Sequence, residues 1–323
     1  MSATIPAKLP IDKATERQLG RGEKALESTA KRSKKRLTSR GATIAALIIA
    51  LLWTTPTFGL FVSSLRLPQD ILRNGWWTIF QNPGFTLQNY TDVLKAGNDQ
   101  LNLGGSFINS LAITLPATLI PLVVASLAAY AFAWIDFKGR NWIFILVFAL
   151  QIVPLQMALV PLLSLFSRGL KIGGFQLFEG LGASGYSQVW IAHTIFALPL
   201  AIFLLHNFIS EIPAELIEAA RVDGAGHGQI FFRIVLPLTM PAIASFAIFQ
   251  FLWVWNDLLV ALVFADGDVA PMTKLLAEIT GSRGQDWNLL TAGAFISILV
   301  PLIVFFALQR FFVRGLLAGS TKG

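Results

Sequence analysis

Cysteine is absent from the 323-residue chain, and charged residues are scarce. Without cysteine, the chain cannot form disulfide bonds, use thiol catalysis or bind metals through thiolates. Charged residues make up 13% of the chain, whereas soluble domains usually carry about 25%. Hydrophobic residues make up 54%, so a soluble fold of this composition would expose a largely apolar surface. The composition therefore predicts a polytopic membrane protein.

Motifs for nucleotide binding and catalysis are also missing from the sequence. No Gly-x-x-x-x-Gly-Lys-Ser/Thr loop, His-Glu-x-x-His pair or Gly-x-Ser-x-Gly turn occurs. The glycines at Gly173-Gly174 and Gly180-x-Gly182 lack the flanking strand and helix of a phosphate-binding loop. We therefore expect no catalytic residue, no metal site and no cofactor bound by this chain.

Positive charge is concentrated at the N-terminus. Residues 1–41 carry eleven of the 25 Lys and Arg residues and directly precede an apolar run. Such a run of charge could bind nucleic acid, but a basic flank also keeps its end of a membrane span in the cytoplasm. We prefer the second interpretation, and predict a basic cytoplasmic tail over 1–41 and no nucleic-acid partner.

Six apolar runs are long enough to cross a bilayer as helices. They predict an all-α transmembrane domain over 42–313, with spans at about 42–65, 106–134, 142–166, 189–208, 238–264 and 289–313. Pro154 and Pro161 predict a kink in the third span. Ala125, Ala129 and Ala133 form a small-residue face on the second. An even number of spans places both termini, including the tail 314–323, in the cytoplasm.

Two predicted spans contain polar residues. In the fifth, Phe246, Phe249, Gln250, Trp253, Asn256 and Asp257 repeat at intervals of three and four, which predicts one stripe along a helix. Polar groups within a bilayer face protein or a water-filled path. We therefore expect one of two roles for Gln250, Trp253, Asn256 and Asp257. They either line a translocation path or pack against neighbouring helices. For His193 in the fourth span, we prefer a neutral, hydrogen-bonded packing role.

A polar segment, 209–237, separates the fourth and fifth spans, and we call it the coupling segment. Good helix formers run from Ala214 to Val222, and Asp223-Gly224 is a helix stop signal. A second short helix is predicted over 225–233. The adjacent alanines at 219 and 220 would let another protein approach closely. The segment is either a docking element or a plain connector.

The spacing of residues in this segment resembles the loop by which permeases of ABC importers contact their ATPase subunits. The matching positions are Glu218, Ala219, Ala220, Asp223, Gly224, Ile234, Leu236 and Pro237. The stretch Phe85–Tyr90 and the C-terminal sequence from Gln309 are similar to maltose-permease-like subunits of sugar importers. The resemblance covers most of the chain beyond the tail. It implies the type I ABC importer permease fold with six transmembrane helices.

The same resemblance implies a function and a set of partners. The chain would be a permease subunit in the bacterial inner membrane, importing a carbohydrate such as an oligosaccharide or α-glucoside. Its partners would be membrane lipid, a second homologous permease, an extracytoplasmic binding protein and an ABC ATPase dimer that holds ATP and Mg. Residues Gly281, Ser282, Arg283 and Gly284 would contact the binding protein, and the tail from Gly315 the ATPases. Alternatives are a permease for a non-sugar solute, an ion-coupled secondary transporter and a membrane-anchored scaffold.

Overall fold

The computed structural model describes residues 40–96, 102–280 and 286–318, and these residues are predominantly helical. The helices are α1 Arg40–Ser64, α2 Pro68–Arg73, α3 Gln88–Lys95, α4 Leu103–Trp134, α5 Arg140–Ala149, α6 Leu155–Arg168, α7 Tyr186–Ser210, α8 Ala214–Val222, α9 His227–Ile230, α10 Leu236–Trp255, α11 Leu259–Phe264, α12 Met272–Thr280 and α13 Trp287–Ala318. Short 3-10 turns cover Trp76–Phe80, Leu150–Ile152 and Gly267–Val269, and a π-helical segment covers Phe231–Val235. An antiparallel hairpin pairs β1 Leu170–Ile172 with β2 Phe175–Phe178. Of the described residues, 40–60 belong to one compact unit, and a second begins at Phe61.

Five helical stretches in the described part of the chain are long and apolar enough to cross a membrane: α1, α4, α7, the continuous stretch His227–Trp255 and the part of α13 up to Gln309. A sixth candidate is the pair Arg140–Ile152 and Leu155–Arg168, bent by 104°. Proline lacks an N–H group and disfavours helical geometry in the residue before it. The helix therefore stops before Pro154, and the predicted kink is a complete break, whereas Pro161 lies inside an unbroken helix.

The fifth apolar run folds differently from the single helix predicted over 238–264, and two corrections follow. The helix ends at Trp255, because Asp257 Oδ2 accepts hydrogen bonds from the backbone N–H groups of Val260 (2.9 Å) and Ala261 (3.2 Å). Those bonds cap α11 as a new helix. At the other end, the helix predicted over 225–233 is not separate. It is the first part of the continuous stretch that begins at His227.

Small side chains bring α4 and α7 together. Ala125 and Ala129 of α4 are fully buried in one apolar cluster with Ala201 and Leu205 of α7. Their size lets the two helix backbones approach closely. The predicted small-residue face is thereby confirmed for these two alanines, while Ala133 is only half-buried.

Side chains from neighbouring helices satisfy carbonyl groups that prolines leave free. A helical carbonyl normally accepts from the N–H four residues later, which proline lacks. Trp190 Nε1 donates to Ala112 O at 3.0 Å, four residues before Pro116. Gln250 Nε2 donates to Ala117 O at 3.2 Å, four residues before Pro121. Trp255 Nε1 donates to Ser297 O at 3.1 Å, four residues before Pro301. These bonds connect α4 to α7, α4 to α10 and α10 to α13.

A buried lysine closes the end of the helix bundle opposite α8. Lys274 of α12 is 6% exposed, and its Nζ donates to Ala265 O at 3.0 Å and to Asp266 Oδ1 at 2.8 Å. The backbone N–H of Asp266 donates to Ser184 Oγ at 2.8 Å, just before α7. These hydrogen bonds hold the segment after α11 against α12 and the start of α7.

The hydrogen bond from Lys274 lowers the pKa of the Asp266 carboxyl. A carboxyl whose pKa is lowered by folding adds stability above its unfolded pKa of about 4, and that stability is lost as the pH falls through the folded value. We therefore expect hydrogen exchange at residues 265–270 to accelerate below about pH 4, beyond the intrinsic change. The effect should stay local, because the Asp266 side chain is 80% exposed. Asp266→Asn should exchange faster than wild type at neutral pH, and equal protection of the two proteins there would contradict the prediction.

Candidate functional site

Helix α8 of the coupling segment ends in a left-handed glycine. Gly224 has φ of 80°, and its N–H donates to Arg221 O at 3.0 Å. The N–H of Ala225 donates to Ala220 O at 2.9 Å. These two bonds form a Schellman motif, in which glycine is favoured because a Cβ atom is strained at positive φ. The predicted helix over Ala214–Val222 and its stop at Gly224 are confirmed.

Helix α8 is fixed to two transmembrane helices. Ile217 is 1% exposed and packs in an apolar cluster that includes Ile209 of α7. Arg221 Nη2 donates to Trp134 O, the last carbonyl of α4, at 3.0 Å. Trp134 Nε1 in turn donates to Ile209 O at 3.2 Å. These contacts fix the position of α8 relative to the ends of α4 and α7.

Ile234, Leu236 and Pro237, the second half of the ATPase-contact spacing, lie where the coupling segment enters the fifth membrane helix. The N–H of Leu236 donates to Phe231 O, five residues back, which is the π-helical spacing. Ile234 and Leu236 are half-buried and Pro237 is exposed. The ring of Phe231 lies 5.4 Å from that of Tyr130 in α4. These residues thus join α8 to α10 and α4, rather than adding to the exposed face of α8.

The exposed face of α8 combines small, apolar and acidic residues. Leu216 is 47% exposed and Val222 is 87% exposed, with Ala219 exposed between them. Exposed acidic residues surround them: Glu215, Glu218 and Asp223. Ala220 is half-buried on the anchored side. A plain connector needs neither a fixed helix nor an exposed apolar face, so this geometry favours a docking element.

A cavity of about 440 Å³ lies between the break of the bent pair, α7 and α10. Residues that line it include Gln151, Pro154, Phe196, Phe246, Gln250 and Trp253. Gln250 is fully buried, and its Oε1 has no hydrogen-bond partner in the described part of the chain. The cavity therefore combines aromatic surface with amide groups. The sequence interpretation missed Gln151, although its place three residues before a helix-breaking proline was an available signal.

The polar stripe was predicted to lie along one helix, and this prediction is wrong. Helix α10 ends at Trp255, between Trp253 and Asn256. Gln250 and Trp253 line the cavity, whereas Asn256 and Asp257 lie beyond the helix and do not. Asn256 is exposed, and its Nδ2 donates to Leu252 O at 2.7 Å. Asp257 Oδ2 caps α11 and lies 3.8 Å from Nε2 of the buried His193.

Some predicted contacts lie outside the described residues. Residues Gly281, Ser282, Arg283 and Gly284 are among them, as are most of the N-terminal tail and positions 319–323. Their roles remain predictions. Among the described residues, no group of three or more His, Asp or Glu side chains is arranged to hold a metal ion.

Comparison with known proteins decides the family. The sequence pattern of the family described as binding-protein-dependent transport system inner membrane component matches residues 105–317. The chain belongs to this permease family. Permeases of this kind are transport subunits of ABC importers rather than enzymes, so the predicted class is confirmed.

The permease has close relatives among curated proteins. It is 56% identical over 286 residues to the osmoprotective compounds uptake permease protein GgtD of Synechocystis sp., covering 86% of this chain and 91% of the relative. It is 53% identical over 264 residues to the alpha-glucoside transport system permease protein AglG of Rhizobium meliloti, covering 81% of this chain and 67% of the relative.

The fold of the permease resembles that of a solved transporter. The structure is of a bacterial ABC transporter involved in the import of the acidic polysaccharide alginate, with a TM-score of 0.64 and 18% identity, covering 86% of this chain and 98% of that chain. At this identity the likeness shows the fold alone. It confirms the type I ABC importer permease fold. The family match and the apolar helices show that the permease is a multi-pass membrane component of an ABC importer.

Proposed function

We propose that this permease imports a carbohydrate, in particular an oligosaccharide or an α-glucoside. The observation that carries the proposal is the cavity at the bent pair. Its amide groups, from Gln151 and Gln250, suit the hydroxyl groups of a sugar, and its rings, from Phe196 and Trp253, suit the C–H faces. The similarity to a relative named for α-glucosides supports this solute class.

A second candidate solute is a non-sugar osmoprotectant. The relative at 56% identity is named for osmoprotective compounds, a name that covers both sugar-like and non-sugar solutes and so motivates testing this alternative. The cavity distinguishes the two solute classes by chemistry. The described residues that line it include no Asp, Glu, Lys, Arg or His, so it offers no side chain to neutralise a charged osmolyte.

The coupling segment would dock on a cytoplasmic ABC ATPase dimer through the exposed face of α8. ATP and Mg would be bound by those subunits, and closure of the dimer would displace α8. Because α8 is fixed to α4 and α7 and continues into α10, that displacement would move two of the elements that line the cavity, α7 and α10. Such a rigid-body change can open the cavity alternately to the two sides of the membrane.

The remaining partners and the orientation belong to the same proposal. Both termini would lie in the cytoplasm, on the side of α8. A second homologous permease would complete the path. On the opposite side, residues Gly281–Gly284 would contact the extracytoplasmic binding protein.

Uptake by the assembled transporter in proteoliposomes would test the solute class. We expect ATP-dependent and binding-protein-dependent accumulation of a radiolabelled α-glucoside such as maltose. Excess unlabelled α-glucoside should abolish this accumulation, and excess glycine betaine should leave it unchanged, because the cavity offers hydroxyl partners but no opposite charge. Accumulation of labelled betaine without that of α-glucosides or oligosaccharides would support the second candidate instead.

A further inference from the structure

The β-hairpin between α6 and α7 has one apolar face and one polar face. Ile172 lies opposite Phe175, and Lys171 lies opposite Gln176, across a Gly173-Gly174 turn. Both turn glycines have positive φ, 56° and 88°, as a tight hairpin turn requires. Side chains alternate between the faces of a strand. The Ile172–Phe175 pair therefore lies on the face opposite Lys171 and Gln176.

The apolar face of the hairpin is unusually exposed. Ile172 is 61% exposed and Phe175 is 79% exposed. Leu177, the unpaired residue at the register shift in β2, is also 61% exposed. These three residues form what we call the hairpin patch. An apolar patch of this kind on a folded protein usually marks a surface that something else covers.

Both ends of the hairpin are fixed to helices of the bundle. Gly169 N–H donates to Leu165 O at 2.9 Å, and Gly182 N–H donates to Phe166 O at 3.1 Å. Gln188 Nε2, in the first turn of α7, donates to Leu181 O at 2.8 Å. Strands of three to four residues reach only about 10–13 Å beyond these anchors. The hairpin therefore stays close to the end of the helix bundle that carries it.

We propose that the hairpin patch inserts into the phospholipid interface, at the membrane surface opposite the coupling segment. The exposed stripe of α6 leads to this place, because Met157 and Val160 are 70% and 72% exposed and Arg168 ends the same helix face. The patch thus continues an apolar surface of a candidate membrane helix. Exposed Arg168 and Lys171 would contact lipid phosphates, and one exposed carboxylate, Glu179, lies in the same loop.

Lipid fits this face better than a soluble protein partner does. A binding protein docks and leaves in each transport cycle, so a face reserved for it would spend part of the cycle in water. Transient protein interfaces are about as polar as the rest of a protein surface, whereas the hairpin patch is wholly apolar. Lipid covers such a face continuously, as it does the apolar face of other interfacial segments.

The absence of native cysteine allows a direct test by single-cysteine spin labelling. Phe175→Cys carries the label on the apolar face, and Gln176→Cys carries it on the polar face one residue away. Both side chains are exposed, so neither substitution disturbs the core. The labelled permease is assembled with its partners, whose own cysteines are replaced, in phospholipid nanodiscs. Collision of each label with oxygen, which concentrates in lipid, is compared with collision with a water-soluble nickel chelate.

We expect the ratio of oxygen to nickel accessibility to be several-fold higher at Phe175→Cys than at Gln176→Cys. Two results would overturn the proposal. Equal and high nickel accessibility at both labels would place the hairpin in water. Protection of Phe175→Cys from both reagents, or protection only after the binding protein is added, would mean that protein covers the patch. ATP hydrolysis by both labelled samples, stimulated by the solute-loaded binding protein, verifies that the comparison is made on assembled transporter.

Discussion

Gly224→Pro is expected to abolish coupled transport while the permease still inserts into the membrane. Proline fixes φ near −65° and has no N–H group, whereas Gly224 has φ of 80° and donates to Arg221 O. The end of α8 must therefore rearrange. Local backbone strain costs about 1–3 kcal/mol, which corresponds to about 5- to 150-fold in affinity for the ATPase subunits.

The measurement is ATPase co-purification and ATP-dependent uptake, with Gly226→Ala as the matched control. Gly226 has φ of −75°, and a Cβ atom there meets nothing within 4 Å, so the control should behave as wild type. Glu218→Lys complements the test, since Glu218 is exposed and its replacement changes the docking face without changing the helix end. Normal uptake by both Gly224→Pro and Glu218→Lys would contradict the coupling role.

The second large effect is expected at Gln250, where replacement with leucine should lower sugar uptake about tenfold. An unpaired hydroxyl in a closed site costs about 1–3 kcal/mol. Gln250 lines the cavity, and its buried Oε1 has no hydrogen-bond partner in the described part of the chain, so a small side-chain movement would offer it to a sugar hydroxyl. The matched control is Asn256→Leu. Asn256 belongs to the predicted stripe but lies outside the cavity, so its loss should change uptake less than about twofold.

Gln250 also has a structural contact, and a double variant separates the two roles. Its Nε2 donates to Ala117 O, which lacks a helical donor because Pro121 lies four residues later. Pro121→Ala supplies the missing N–H. If Gln250 acts on the sugar, the defect of Gln250→Leu should persist in the Pro121→Ala background. Full recovery of uptake in the double variant would show that the glutamine serves helix packing alone.

Much of the fold and of the coupling segment follows from local sequence. The length of the apolar runs predicts the membrane helices, because each helix satisfies its own backbone within the bilayer. Helix formers followed by Asp223-Gly224 predict α8 and its end, because helix propensity and the left-handed conformation of glycine are properties of a few neighbouring residues. The spacing from Glu218 to Pro237 was sufficient to indicate the family that the comparisons confirmed.

The cavity could not be predicted in the same way. The sequence placed Gln250 and Asp257 on one stripe, but Asp257 Oδ2 accepts hydrogen bonds from two backbone N–H groups of α11, and this ends the single-helix geometry between them. Gln151 reaches the cavity only because the helix breaks at Pro154 with a bend of 104°. Each of these outcomes depends on where separate helices meet, and a periodic pattern within one segment contains no such information.

The sequence alone determined where the main apolar helices lie, where α8 stops and to which family the chain belongs. The tertiary structure alone decided which side chains satisfy the carbonyls freed by proline, as Trp190 does for Ala112 and Trp255 for Ser297. The physical reason is the range of the interactions. Propensities and caps act within about one helical turn, whereas an unpaired carbonyl in an apolar interior takes its donor from whichever helix the packing brings beside it.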